Sequence, residues 1–211
     1  PSWPHSPLFR RRAENALWND GVDDRTVRAF FAKQQPVTAK GRYMLGRTLL
    51  AQGDREGAAR LVRQAWRNDD ASEGVEQRVL EMFGGMLTPA DHKVRMDARF
   101  YADDAAGGIR AADRLGGNEV AIARARAAVL RKAGNAKALL DAVPAAAQSD
   151  AGYIYSRVQW LRLNNKAEDA SRLILTAPKN PEALVNLDQW WQERRLLVRK
   201  LLDENDAHAA Y

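Results

Sequence analysis

One pattern recurs along almost the whole chain and restricts its fold more than any composition figure. A stretch with apolar residues at helical spacing is followed by two or three turn residues, then by another such stretch. The plainest copy runs from Leu49 to Val62. Gly53 suits the left-handed position just past a helix end, and Asp54 suits the N-cap of the next helix. Five residues after the glycine, Ala58 is small enough to let two helices cross closely, and Leu61 and Val62 supply the apolar stripe. The same order returns at Gly134-Asn135, with Leu139 and Ala142-Val143, and at Asn165-Lys166, with Ala170 and Leu173-Ile174. It returns once more at Asn205-Asp206, reaching Ala210, and a degenerate copy sits at Asp103-Asp104. Alternating β-branched runs and Asn-Gly hairpin turns are missing, so strands are not expected.

The anchors Gly53, Asp103, Gly134, Asn165 and Asn205 lie 50, 31, 31 and 40 positions apart. That spacing is repeat-like but irregular. It shares the turn chemistry of tetratricopeptide arrays without their fixed period. The expectation is an all-α chain, roughly two-thirds helical or more. Its helices would pair as antiparallel hairpins wound into a right-handed superhelix, each hairpin burying its stripe against its neighbours. Residues 1–8, rich in proline, read as an extended lead-in, and residues 9–211 as one superhelical domain cut short before further domains. Thr88-Pro89-Ala90-Asp91 is a strong helix start, and Pro36 with Thr38 marks a break and restart. Val120, Ala123, Ala127 and Leu130 fall on one helical face, as do Ile154, Val158 and Leu161.

Composition narrows the chemistry. With no cysteine, there is no disulfide, thiolate metal site or cysteine nucleophile. Histidines 5, 92 and 208 are too scattered for a metal site, and no cofactor motif is legible. The pairs Gly84-Gly85, Gly107-Gly108 and Gly116-Gly117 read as helix ends and turns, because no strand precedes them to form a phosphate loop. A general acid needs an apolar pocket to raise its pKa, whereas acids here sit in turns or beside arginines, as in Asp54-Arg55-Glu56. No catalytic residue is read. The formal charge of +6 comes with acids interspersed among the bases, which argues against a nucleic-acid partner. No apolar run reaches the ~20 residues of a membrane span.

One segment stands apart, Leu187 to Leu202. Trp190, Arg194, Leu197 and Leu201 share one stripe, and Trp191, Arg195, Val198 and Leu202 share the adjacent one. Trp190, Trp191, Arg194 and Arg195 are therefore candidates for a glycan contact or a protein interface, since aromatic rings and guanidinium groups serve both. In the alternative reading, both tryptophans are core and the arginines pair with inward acids.

The ordered set of these motifs resembles the helical N-terminal region of soluble lytic murein transglycosylases. It runs from Gly53-Asp54 through Leu61-Val62 and Ala65-Trp66, then Phe83-Gly84, Leu87-Thr88 and Asp91-His92. It continues with Val143-Pro144, Tyr155 to Arg162, Ala177-Pro178 and Trp190 to Arg195. The resemblance implies a periplasmic scaffold whose parent enzyme cuts the MurNAc–GlcNAc β-1,4 bond of peptidoglycan to 1,6-anhydro products. It implies a U-shaped superhelix, with a lysozyme-like domain downstream as its partner. That domain carries the family's catalytic glutamate in a Glu-Ser pair, and this chain has no Glu-Ser pair. The chain alone is therefore expected to be inert toward the cell wall. The competing expectation is a free-standing tetratricopeptide-like adaptor that holds a protein or peptide in its groove.

Overall fold

A computed structural model describes residues 6–69 and 71–203. Its described residues are all-helical, 78% helix with no strand. In chain order the helices are α1 (Ser6–Asp20), α2 (Asp24–Phe31), α3 (Ala39–Ala51), α4 (Arg55–Asn68) and α5 (Glu73–Phe83). After a 3-10 turn at Gly84–Met86 come α6 (Pro89–Tyr101), α7 (Ala105–Leu115), α8 (Gly117–Leu130) and α9 (Ala136–Asp141). A second 3-10 turn, Ala145–Ala147, precedes α10 (Ala151–Leu163), α11 (Ala167–Ile174), α12 (Pro181–Leu184) and α13 (Leu187–Asp203).

The chain divides into two compact units, Pro1–His92 and Lys93–Tyr211, where the sequence suggests one domain over 9–211. In the first, α3 packs on α4, α1 and α2. Its core gathers Trp18, Tyr43, Met44, Val62, Trp66, Val79 and Phe83. Tyr43 stacks near Phe83, with ring centroids 6.3 Å apart. In the second, α7 packs on α8, α8 on α9 and α10, and α10 on α11, while α13 covers α10 and α11.

The turns carry this order. Gly53 takes φ +85°, Asp54 N–H donates to the Leu49 carbonyl, and the Asp54 carboxylate accepts from Gly57 N–H at 2.8 Å. The supposedly degenerate copy is the more faithful one. Asp103 sits at φ +60°, Asp104 N–H donates to the Arg99 carbonyl, and the Asp104 carboxylate accepts from Gly107 N–H at 2.8 Å. Asn165, at φ +56°, repeats the helix ending, but Lys166 supplies no side-chain cap. Asparagine and aspartate tolerate this region because their short polar side chains bond locally.

Three expectations need correction. The left-handed residue of the third turn is Lys132 (φ +52°), two positions ahead of Gly134, so α8 ends earlier than its glycine suggests. Gly107-Gly108 is not a helix end but the buried first turn of α7. A Cβ on Gly108 would stand 2.5 Å from the Phe100 ring, so the close approach requires glycine. Helix α1 starts at Ser6, which makes residues 6–8 helical rather than extended. Pro7 is tolerated there because a first-turn N–H has no helical partner to lose. Residues 1–5 and the Asn205-Asp206 turn lie outside the described residues.

Thr88 and Asp91 start α6 as expected. The Asp91 carboxylate accepts from Thr88 N–H and Oγ1, both at 2.7 Å, and Thr88 Oγ1 accepts from Asp91 N–H. Burial raises the Asp91 pKa, but these bonds and the Arg67 guanidinium outweigh it and hold the carboxyl below its usual range. His92 meets the Trp66 ring edge-on at 5.5 Å. Thr38 caps α3, accepting from Gly41 N–H at 3.0 Å.

Candidate functional site

The rotation of α13 decides which candidate residues can meet a ligand, and it is fixed before the helix begins. Val185 adopts φ 61°, ψ −46°, and Asn186 N–H donates to the Leu184 carbonyl at 2.6 Å. That is a γ-turn of the rare positive-φ kind, unfavourable for a β-branched residue. Asn186 then caps α13, its side-chain oxygen accepting from Gln189 N–H at 3.1 Å.

Trp190 turns inward and is 2% exposed. Its Nε1–H donates to Tyr101 Oη at 2.8 Å and to the Leu184 carbonyl at 3.2 Å. The Tyr155 ring bridges the two aromatics, 5.0 Å from Tyr101 and 5.2 Å from Trp190. Burial pushes both tyrosine hydroxyls well above their ordinary pKa; Tyr101 Oη accepts the indole N–H, while the Tyr155 hydroxyl donates to Gln189 Oε1 at 3.2 Å. One turn on, the buried Glu193 carboxylate receives a bidentate pair from Arg162, at 2.6 and 3.0 Å. This fork geometry is strong and directional, and it locks the helix azimuth. Leu197 and Leu201 complete the inward stripe.

The other three candidates face outward together. Trp191 is 62% exposed, and it lines a shallow depression of about 240 Å³ with Arg194, Arg195, Val198 and Arg199. Arg194, Arg195 and Arg199 make no ion pair or hydrogen bond with any described residue. The two sequence-level readings thus divide between neighbours: Trp190 is core, while Trp191 is surface. The inward ion pair runs from Arg162 to Glu193, not from Arg194 or Arg195. An indole face bordered by unpaired guanidinium groups can stack on an apolar surface and receive carboxylates, and it offers no group for acid–base chemistry.

Sequence reasoning missed a second constellation in the same unit. Lys93 Nζ lies 2.7 Å from Asp97, 2.8 Å from Asp150 and 3.7 Å from Glu119. Asp97 also pairs with the buried Arg126, whose guanidinium lies 4.6 Å over the Phe100 ring. A Cβ on Gly152 would collide with this Asp97–Arg126 pair, so glycine makes room for it. Burial pulls the Lys93 pKa down, but Asp97 and Asp150 outweigh it and hold the ammonium above its ordinary value. For Asp150 burial is likewise outweighed, by Lys93 and by the Tyr153 N–H that it caps, so its carboxyl falls below the usual range. Glu119 goes the other way: burial raises it and Lys93 only partly compensates. The sole sequence signal was Lys93 and Asp97 at i, i+4. Where these carboxylates converge, the Lys93 ammonium already occupies the place a cation would take, and no metal-holding group of three or more His, Asp or Glu occurs among the described residues.

No described helix is long and apolar enough to cross a membrane. Comparison with protein-family models, with curated proteins and with solved structures finds no match for this chain.

Proposed function

We propose that this chain is a non-catalytic scaffold of a periplasmic lytic transglycosylase. Its hairpins wind into a right-handed superhelix, and the parent enzyme cleaves the MurNAc–GlcNAc β-1,4 bond of peptidoglycan to 1,6-anhydro products. One observation carries the reading: several motifs of the resemblance coincide with the structural punctuation of the fold. Gly53-Asp54 is a helix-ending turn with its cap, Thr88 starts α6, Val143-Pro144 precedes a 3-10 turn, and Trp190 to Arg195 opens α13 with Trp190 and Glu193 turned inward. Partners are the peptidoglycan, met through the parent enzyme, and the enzyme's own downstream catalytic domain. Trp191, Arg194 and Arg195 are the residues available to a glycan or a protein.

Reading the natural gene past Tyr211 tests the proposal: a lysozyme-like domain with a Glu-Ser pair supports it, and any other continuation overturns it. Purified sacculi incubated with the chain alone should release no anhydromuropeptides detectable by mass spectrometry above a mock-purified control. The exposed Trp191–arginine face also favours a second reading, a free-standing tetratricopeptide-like adaptor for a protein or peptide. A gene ending near Tyr211 would select it.

A further inference from the structure

Helices α8 and α10 pack together, and the last turns of both border one depression of about 520 Å³. That size falls within the ~300–1,000 Å³ of ligand clefts. Val129 and Ala133 line it from the α8 end, Trp160 and Leu163 from the α10 end. Leu163 is 52% exposed, an apolar side chain left at the rim.

The polar lining limits the occupant. Lys132 holds left-handed backbone at φ +52°, a place that Gly53, Asp103 and Asn165 take in the other turns. Glycine has no Cβ to clash there, and Asp and Asn bond locally. Lysine has neither advantage, and such an outlier at a cavity marks a role for its side chain. Its ammonium makes no ion pair or hydrogen bond with any described residue. Lys137, also in the lining, is already paired with Asp141. The lining is thus left with one uncompensated ammonium, and Lys166, 5.8 Å over the Trp160 ring, adds to the positive field. That charge suits a single carboxylate better than a phosphate, which carries nearly two charges. Asn164 adds a second requirement. Its Nδ2–H donates to the Trp160 carbonyl at 2.8 Å, which leaves Oδ1 to accept from an N–H. A carboxylate, an N–H and an apolar body in one small ligand describe the last residue of a peptide, whereas a fatty acid lacks the N–H.

We infer that the cavity at the ends of α8 and α10 binds the free C-terminus of a peptide whose last residue is apolar. Lys132 donates to the carboxylate, Asn164 Oδ1 accepts from the last backbone N–H, and Trp160 with Leu163 packs on the side chain. The site is independent of the wall chemistry proposed above, and a missing Glu-Ser domain would leave it standing.

Fluorescence anisotropy tests this with three tetrapeptides, labelled with fluorescein at the N-terminus and ending in Leu, Val or Phe. Titrated with the chain, at least one should saturate below about 1 mM. Amidating its C-terminus should weaken binding about tenfold or more, the scale of a lost charge-assisted hydrogen bond. Methylating the nitrogen of its last peptide bond should weaken binding about threefold or more. Lys132→Gly and Lys132→Asn should each weaken binding as amidation does without lowering Tm, because both residues accept left-handed backbone. Octanoate, an amphiphilic acid without an N–H, should displace the label only at about tenfold higher concentration than the unlabelled peptide. Failure of all three peptides to saturate overturns the inference, as does equal binding of acid and amide. So do unchanged affinity in both Lys132 variants and octanoate that competes as well as the peptide.

Discussion

The two units solve the same packing problem with different materials. Among the described residues, two of the thirteen core positions of the first unit are alanine, against thirteen of thirty in the second. The first fills its interior with large rings, Trp18, Tyr43, Trp66 and Phe83, and places glycine where helices approach closely, Gly46 facing Val62 of α4 and Gly41 facing Glu14 of α1. Two of its buried carboxylates serve helix starts: Glu14 accepts from the N–H groups of Val37 and Thr38 ahead of α3, and Asp91 from that of Thr88 ahead of α6. The second unit brings helix backbones together over alanine and then buries charge between them, with Lys93, Asp97 and Arg126 linked in one network. Large side chains tolerate reshaping, since neighbours can repack around a similar volume. Alanine crossings and buried ion pairs do not tolerate it: one has no room, and the other leaves an uncompensated charge.

That contrast yields a ranked set of expectations. The largest concerns the network: Asp97→Ala leaves Arg126 and Lys93 without their shared partner and should cost about 3–5 kcal/mol in urea unfolding. A loss under about 1 kcal/mol would mean that water already satisfies the pair, and the contrast would fail. Next, Ala111→Leu in the second unit should cost about 1–3 kcal/mol by overpacking, while Met44→Leu in the first, a swap of similar volume, should stay under about 1.5 kcal/mol. The reverse order would show that side-chain size in the core does not govern tolerance.

Smaller effects follow the pH. The Asp150 carboxyl titrates lower in the folded protein than its ordinary 3.8. Its contribution is therefore complete above that value and fades as the pH falls through the folded one. Thermal melts of Asp150→Asn should lose stability at neutral pH and show a flatter decline below about pH 4 than the natural protein. Glu119 has the opposite sign. Its folded pKa exceeds 4.5, so its contribution is complete below that value and turns unfavourable as the pH rises past the folded one. Glu119→Gln should accordingly raise Tm at pH 7 slightly, by under about 2 °C. A clear fall would show that its ionised form is needed by Lys93.

Helix placement and capping were largely legible in the chain, because both are local. Gly53, Asp54, Thr38, Thr88 and Asn165 act where their chemistry says they should. The turn at Lys132 escaped because a nearby glycine offered a cheaper left-handed position and the helix ended before reaching it. The buried network escaped because Asp97 and Arg126 are 29 positions apart, and in a sequence full of acids and arginines nothing local sets that pair apart. The candidate face was half legible: composition located the helix, but two adjacent apolar stripes of equal strength left its rotation open. What resolved it was the Arg162–Glu193 fork, a contact between helices.

Adjacent residues on a helix point about 100° apart, so Trp190 and Trp191 are the same chemistry aimed in different directions. The choice between them rests on the Leu184–Val185–Asn186 link, whose positive-φ kink sets where α13 starts its first turn. Deleting or inserting one residue in that link would favour turning the helix by one position, trading the aromatic that fills the interior for the one displayed outside. The surface this protein shows at α13 is thus inherited through a three-residue link as much as through the helix that bears it.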